Sequence, residues 1–399
     1  MPAQKYTKNK IDYQTQTGEY WFRFCNFFDN KSREFEDKIH NSTEQTYSVL
    51  DSSGISRDIS WPQLPFWQSY HYFDHLDPDS KPFYLLQMSN LENNFHYQIV
   101  IQVEVSKMSL FRIGIVPKWI MNTQNKSTKD QDVLIGELIC FCRHYTKLMS
   151  LRIRPYMPGN ELVDKTYDRL SAHGFHEVSA SAYTQTRVID LRPSVKEILD
   201  TFSANGRARL KIKNKDTDKI EINKISNTAT IPFLKKALND SFLRSVNRIT
   251  DFDFEPLFAS MDQLGSNVVM FGFYLKKSLL EPQAFITGIQ HGSVVEFSVG
   301  GSLSSAHLRQ FPFNHLLMWR LLLHSKENGI KFLDLGGITS GEADDALSGI
   351  SNFKRYFPGF EMPVGREMLF VLRPIYLSVY TGIKKVSDLI KIISLKSTR

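Results

Sequence analysis

Phe332-Leu-Asp-Leu-Gly-Gly337 is the stretch that decides the reading of this chain. It follows a helical pattern running roughly from His307 to Asn328 and closed by Gly329, where glycine supplies a left-handed helix stop. Ile330 to Leu335 then reads as a buried strand that ends in the paired glycines Gly336 and Gly337. Upstream, Asn267 to Leu275, Gln283 to Gln290 and Val294 to Val299 read as successive strands, with His291-Gly292-Ser293 as a turn. The order is therefore strands, a long helix, then a strand that stops in a special loop.

The first half carries the same order. Tyr97 to Val105 and Leu110 to Val116 read as strands, and Val133, Leu134, Leu138, Phe141, Tyr145 and Leu148 recur at helical spacing. Ser150-Leu-Arg-Ile-Arg154 follows as a strand stopped by Pro155, and a helix from Leu162 to Ala172 ends at His173-Gly174. Two copies of one α/β unit follow from this pattern. They are expected over residues 61–185 and 186–373, as mixed sheets flanked by helices. Residues 1–60, rich in Asn, Ser, Asp and Lys, read as an N-terminal appendage, with Tyr20, Trp21, Phe22, Phe24, Phe27 and Phe28 as the sticky face of a short helix.

Composition narrows the classes. In 399 residues, 42% hydrophobic and 23% charged content is globular and argues against wholesale disorder. The net charge of +7 suits a polyanionic partner without demanding one. Cys25, Cys140 and Cys142 are too few for a disulfide scaffold, and they suit a reducing compartment. His173 and His176 lack a third ligand, so no metal is expected. No apolar run reaches the ~18 residues that a membrane-spanning helix needs, and no secretory leader is visible. The expected location is cytoplasmic, with any membrane contact peripheral. Walker, Rossmann, HExxH and GxSxG patterns are missing, as is the acyl-CoA signature of ordinary acetyltransferases.

The C-terminal series carries a resemblance. Leu316-Leu-Met-Trp319 leads to Asn328-Gly329 and Asp334-Leu-Gly-Gly337; after a polar loop come Phe353-Lys354, Phe357, Glu361 and Val364-Gly365. This resembles the C-terminal half of the Fem-type (FemAB-like) peptidoglycan-bridge aminoacyltransferases of the GNAT superfamily. Gln68-Ser69, Leu151 to Pro155 and the basic run Arg207 to Lys215 are weaker matches, and the resemblance covers about residues 62–385. The Trp and Lys that usually follow the family's "QS" element are not matched here, and the stretch 201–265 is too short for the helical arm of some relatives.

The resemblance implies two tandem GNAT-like acyltransferase domains, with a C-terminal helix (374–399) returning to the first. It implies transfer of an amino acid from aminoacyl-tRNA to an amine on the stem peptide of a lipid-linked or nucleotide-linked cell-wall precursor. No bound cofactor is implied; aminoacyl-tRNA is the co-substrate, and acyl-CoA is the alternative donor. Lys354, Phe353 and Asp334 are the implied catalytic residues. Arg207, Arg209, Gly336, Gly337 and Gln68 are the implied substrate-binding ones. Each has a plainer reading: Phe353 as core, Lys354 and the Arg207–Lys215 run as solvated surface, Asp334 as a carboxylate that satisfies backbone amides in a turn. A third function, a catalytically idle binding protein of the same fold, stays open. In the tail, Val379, Ile383, Val386, Ile390 and Ile393 fall at helical spacing among basic residues, a pattern that suits packing on the first unit or contact with an anionic membrane.

Overall fold

The computed structural model describes residues 5–7, 10–14, 20–27, 44–50, 56–62, 83–90, 95–105, 111–119, 128–178, 183–211, 218–264, 268–278, 280–305, 308, 310–339 and 348–383. Strands β1 (Lys5–Thr7), β2 (Lys10–Gln14) and β3 (Tyr20–Phe27) form a meander, and β4 (Glu44–Leu50) pairs with β5 (Ser56–Pro62) as a separate hairpin. The helix expected around Tyr20 is thus a strand. β3 pairs residue for residue with β6 (Phe83–Asn90), and so extends the first sheet. Aromatic residues suit an extended pleat at least as well as a helix.

β6, β7 (Phe95–Val105) and β8 (Arg112–Trp119) continue antiparallel. Helix α1 (Thr128–Tyr145) crosses over, and β9 (Ser150–Pro155) returns parallel to β8. Helix α2 (Asn160–Ala172), β10 (His176–Glu177) and β11 (Gln185–Asp190) follow. After α3 (Val195–Asp200), α4 (Ala204–Arg209) and the edge strand β12 (Ile220–Lys224), helices α5 (Ile231–Val246) and α6 (Glu255–Leu264) lead into the second copy. There β13 (Val268–Leu275), β14 (Ala284–His291) and β15 (Val294–Ser302) are antiparallel. Helix α7 (Phe313–Glu327) crosses over, and β16 (Phe332–Ile338) is parallel to β15. Helix α8 (Ser348–Arg355), β17 (Phe360–Pro363) and β18 (Met368–Val371) close the repeat.

The last strand of each copy pairs in the other copy's sheet. The first sheet runs β1-β2-β3-β6-β7-β8-β9-β18-β10, and the second β12-β13-β14-β15-β16-β11-β17. β11 is thus inserted between β16 and β17, and β18 between β9 and β10. This exchange ties the two sheets by backbone hydrogen bonds. The first core accordingly runs on into the second sheet through Val188, Val294, Phe332, Phe360 and Met362.

Alternation fills the second sheet's two faces. Val269, Phe271 and Phe273 of β13 pack on the α7 side, while Val268, Met270 and Tyr274 pack on the side of Leu234, Leu238 and Phe258 from α5 and α6. A final helix over residues 374–383 starts at Arg373, whose guanidinium donates to the carbonyls of Arg143, Thr146 and Leu148. Tyr380 packs on Phe111 with ring centroids 5.3 Å apart. The helix therefore docks on the first sheet's side, while Ile375, Tyr376, Val379 and Ile383 stay exposed. Val386, Ile390 and Ile393 lie outside the described residues.

Candidate active site at the seam of the two sheets

The two parallel pairs place the site. In the second sheet the β15–β16 register ends at Glu296↔Asp334, and beyond it the strands separate. Two carboxylates therefore stand side by side at the mouth of a splay. In the first sheet the parallel register breaks between Val116 and Trp119, and Lys118 sits in that irregularity with φ 47°. The bulge in the first sheet contributes Lys118, with Tyr156 just past the end of β9, and the splay of the second contributes Glu296 and Asp334. Lys118 Nζ donates to Glu296 Oε1, and the Tyr156 hydroxyl donates to Asp334 Oδ2, so each carboxylate is met by a side chain from the other copy.

The remaining ligands of these carboxylates come from the second sheet. His291 Nε2 lies 3.2 Å from Glu296 Oε2. Asp334 Oδ1 accepts from the Thr186 hydroxyl and, at 2.7 Å, from the Gly336 amide. Lys118 also lies over the rings of Tyr156 and Tyr183, 4.8 and 6.0 Å from their centroids. Like charges facing each other across adjacent strands are unfavourable. The cluster answers with one intruding ammonium, one histidine and several hydroxyl or amide donors.

Lys354 enters from α8. The helix turns Ser351 and Lys354 inward, and Lys354 is only 6% exposed. Its Nζ donates to Gly337 O at 2.5 Å and lies 5.7 Å from the centroid of the Phe297 ring. The Gly-Gly pair makes room for this. Gly336 has φ 74°, and a Cβ on Gly337 would stand 2.0 Å from Tyr183 Cγ. Glycine is therefore required at 337 by the close approach of an aromatic ring.

Electrostatics follow burial and neighbours. Burial alone would raise Glu296, but Lys118 and His291 outweigh it and hold the carboxyl at about 2. Burial, with Glu296 adding to it, pushes Asp334 up against the pull of Thr186 and Tyr156. Burial lowers Lys354 to about 8, opposed by Asp334 and Glu296. Burial also lowers His291 and favours the neutral imidazole. The seam thus holds an ammonium whose proton is lost just above neutrality, beside two carboxylates of divergent acidity, a combination that makes it the candidate site.

Comparison with known proteins bears on this geometry. No protein-family model matches the chain, and no curated protein matches by sequence. Among solved structures, FemX superposes over 74% of this chain and 90% of its own, with a TM-score of 0.59 at 12% identity. This chain shares the fold of FemX. The expected architecture of two similar mixed α/β units agrees with that likeness of fold. Two looser likenesses are a tandem GNAT protein from the clavulanic acid biosynthesis pathway (TM-score 0.45, 9% identity, 74% of this chain and 85% of that one) and the C-terminal domain of a putative lysylphosphatidylglycerol synthetase from Agrobacterium fabrum (0.44, 12%, 68% and 80%).

On the FemX-like frame the expected site residues divide. Asp334, Gly336, Gly337 and Lys354 come together at the seam, and Lys354 is buried there, which removes its reading as a solvated surface lysine. Asp334 does what its plainer reading said, and accepts a backbone amide as well as two hydroxyls. Phe353 points elsewhere: its ring packs on His315 and Phe357, 5.1 and 5.5 Å away between centroids. The basic run starts in a helix. Arg207 and Arg209 lie on the short helix α4, and 212–217 lie outside the described residues. Arg207 donates to the carbonyls of Asp200 and Phe202, while the Arg209 guanidinium stacks on Tyr356 at 5.1 Å. Gln68 lies outside the described residues. Sequence reading missed Lys118, Tyr156, Glu296 and His291, which belong to different elements. The signal for Glu296 was the one charge inside the Val294–Val299 strand. Among the described residues no helix is long and apolar enough to cross a membrane.

Proposed function

We propose that this protein is a Fem-type acyltransferase that moves an amino acid from aminoacyl-tRNA to an amine of a cell-wall precursor stem peptide. The observation that carries the reading is Lys354. It is an ammonium withdrawn from water at the junction of the two sheets, with an affinity for its proton that keeps it charged at neutral pH. In the reaction the amine attacks the ester carbonyl, a C–N bond forms and the ester C–O bond breaks. The ribose hydroxyl leaves with the proton that the amine gives up. Negative charge on the carbonyl oxygen peaks in between, and a preorganised cation in a dry site is the largest kind of help such a step receives. Asp334 already accepts three hydrogen bonds. Its role in this reading is to hold the loop at Gly336 and Gly337 rather than to take the proton.

The acceptor is lipid-linked or nucleotide-linked. The exposed row Ile375, Tyr376, Val379 and Ile383, followed in sequence by Lys384 and Lys385, supports a peripheral station at the cytoplasmic face of a membrane. The test is turnover of the purified protein with labelled aminoacyl-tRNA or labelled acyl-CoA and a soluble stem-peptide acceptor, for wild type and Lys354→Ala. Product from aminoacyl-tRNA that falls on removing Lys354 supports the proposal. Product from acyl-CoA alone moves the donor to the other class, and no product from either donor overturns the assignment.

A further inference from the structure

The other side of α8 faces open space. Two adjoining cavities, of about 410 and 620 Å³, share Arg187, Thr201 and Pro358. The smaller is lined by Arg187 and Arg355, by Thr201, Ser203 and Asn352, and by the ring of Tyr356. Both guanidiniums bond to the same carboxylate: Glu361 Oε1 accepts from Arg187 Nη1 at 3.3 Å and from Arg355 Nε at 2.8 Å. Arg187 also donates twice to Phe357 O, and Arg355 donates to Thr339 O. A guanidinium carries five N–H donors, so both keep unspent donors. One carboxylate against two guanidiniums leaves a positive charge, and among the described residues no acid lines this chamber.

Tyr356 adds a second kind of contact. Its side of the chamber is an exposed ring, 41% accessible, already stacked by the Arg209 guanidinium. Positive charge with spare planar donors suits a phosphate oxygen, hydroxyl and amide groups can complete its hydrogen bonds, and a cation-backed ring suits a base. The larger chamber continues the groove past Ile189, Ile198 and Phe360; its two acids are engaged, Asp190 by the Arg192 guanidinium and Glu197 by the Ser194 amide, so the phosphate end is placed in the smaller chamber. The groove lies across α8 from Lys354: Asn352 and Arg355 line it, while Ser351 and Lys354 are buried on the inner side. A helix is about 10 Å across with its side chains.

We propose that this groove binds a nucleotide, with its phosphate at Arg187 and Arg355 and its base against Tyr356. The link to chemistry rests on the reading of the protein as an acyltransferase, because both donor classes carry a phosphorylated nucleotide. Binding itself does not depend on turnover.

The experiment measures equilibrium binding by wild-type protein of two probes, an RNA minihelix ending in 3′-CCA and coenzyme A. The variants are Asn352→Asp, which puts a carboxylate on the cavity wall and leaves every arginine in place, and Arg355→Gln. Asn352 is exposed, so the first variant should fold even if Arg355→Gln does not. At least one probe should bind, and Asn352→Asp should weaken it about tenfold or more. Preference for the RNA names an RNA end as the source, and preference for coenzyme A names the thioester carrier. Binding of neither probe, or binding indifferent to Asn352→Asp, overturns the groove assignment. That result leaves the acyltransferase reading to its own turnover assay.

Discussion

Replacing Lys354 by methionine should change the pH dependence of stability in a way that only a buried, depressed lysine allows. In the folded protein Lys354 releases its proton at about 8, against an ordinary value of 10.5. The unfolded chain therefore binds the proton more tightly, and folding is penalised while the lysine is charged in both states. The penalty is complete below the folded value and is relieved as pH climbs from there toward 10.5. Each factor of ten in proton affinity is worth about 1.4 kcal/mol, so wild type should gain ~2.5 kcal/mol on Lys354→Met between pH 7 and pH 10. Methionine also leaves Gly337 O without its donor, a cost of about 1–3 kcal/mol that does not vary over this range. The absolute difference at pH 7 is therefore small, and the slope is the diagnostic quantity. Urea unfolding at several pH values, with a common m value, measures it. Parallel stability–pH curves for the two proteins would refute the burial of a titrating ammonium at the seam.

Four other outcomes follow from the same geometry. Lys354→Ala should lower turnover by about 10²–10³ with the fold retained, the cost of losing one donor to a developing oxyanion, as read in single-turnover assays. Wild-type turnover should decline as pH rises through about 8, because the charged form of Lys354 does the work; a rate that keeps climbing to pH 9.5 sinks that role. Glu296→Gln should cost about 3 kcal/mol by stranding Lys118, and adding Lys118→Met should recover much of it in a double-mutant cycle. Val379→Asp should reduce sedimentation with anionic vesicles without shifting the urea midpoint, whereas a lowered midpoint would show that the position is packed rather than free.

The tandem architecture was legible because it rests on local signals. Short apolar runs and the His291-Gly292-Ser293 turn marked β13 to β15, and Gly174 and Gly329 marked the ends of α2 and α7 with positive φ. The Asp334-Leu-Gly-Gly337 stop announced the strand that carries the site. The strand exchange was not legible. Nothing in Gln185–Asp190 or Met368–Val371 says which of two similar sheets will accept it, since a short strand can pair in either. The choice is made by pairing partners far away in sequence, β16 and β17 for one and β9 and β10 for the other.

The seam was half legible for the same reason. Lys354 and Asp334 lie on one stretch of chain with family-like spacing, so a motif can hold both. Lys118 and Tyr156 belong to the first copy, and their partners Glu296 and Asp334 to the second; each pair is separated by 178 positions. Neither Lys118 nor Tyr156 stands out in its own segment. Their meaning comes from what the other copy places opposite them: Lys118 donates to Glu296, and the Tyr156 hydroxyl donates to Asp334. Carboxylates from both copies at this seam would bring like charges together in a dry interface, at a cost that burial makes severe. Donors from the first copy set against carboxylates of the second are therefore what lets the two sheets meet here and leaves Lys354 charged beside them.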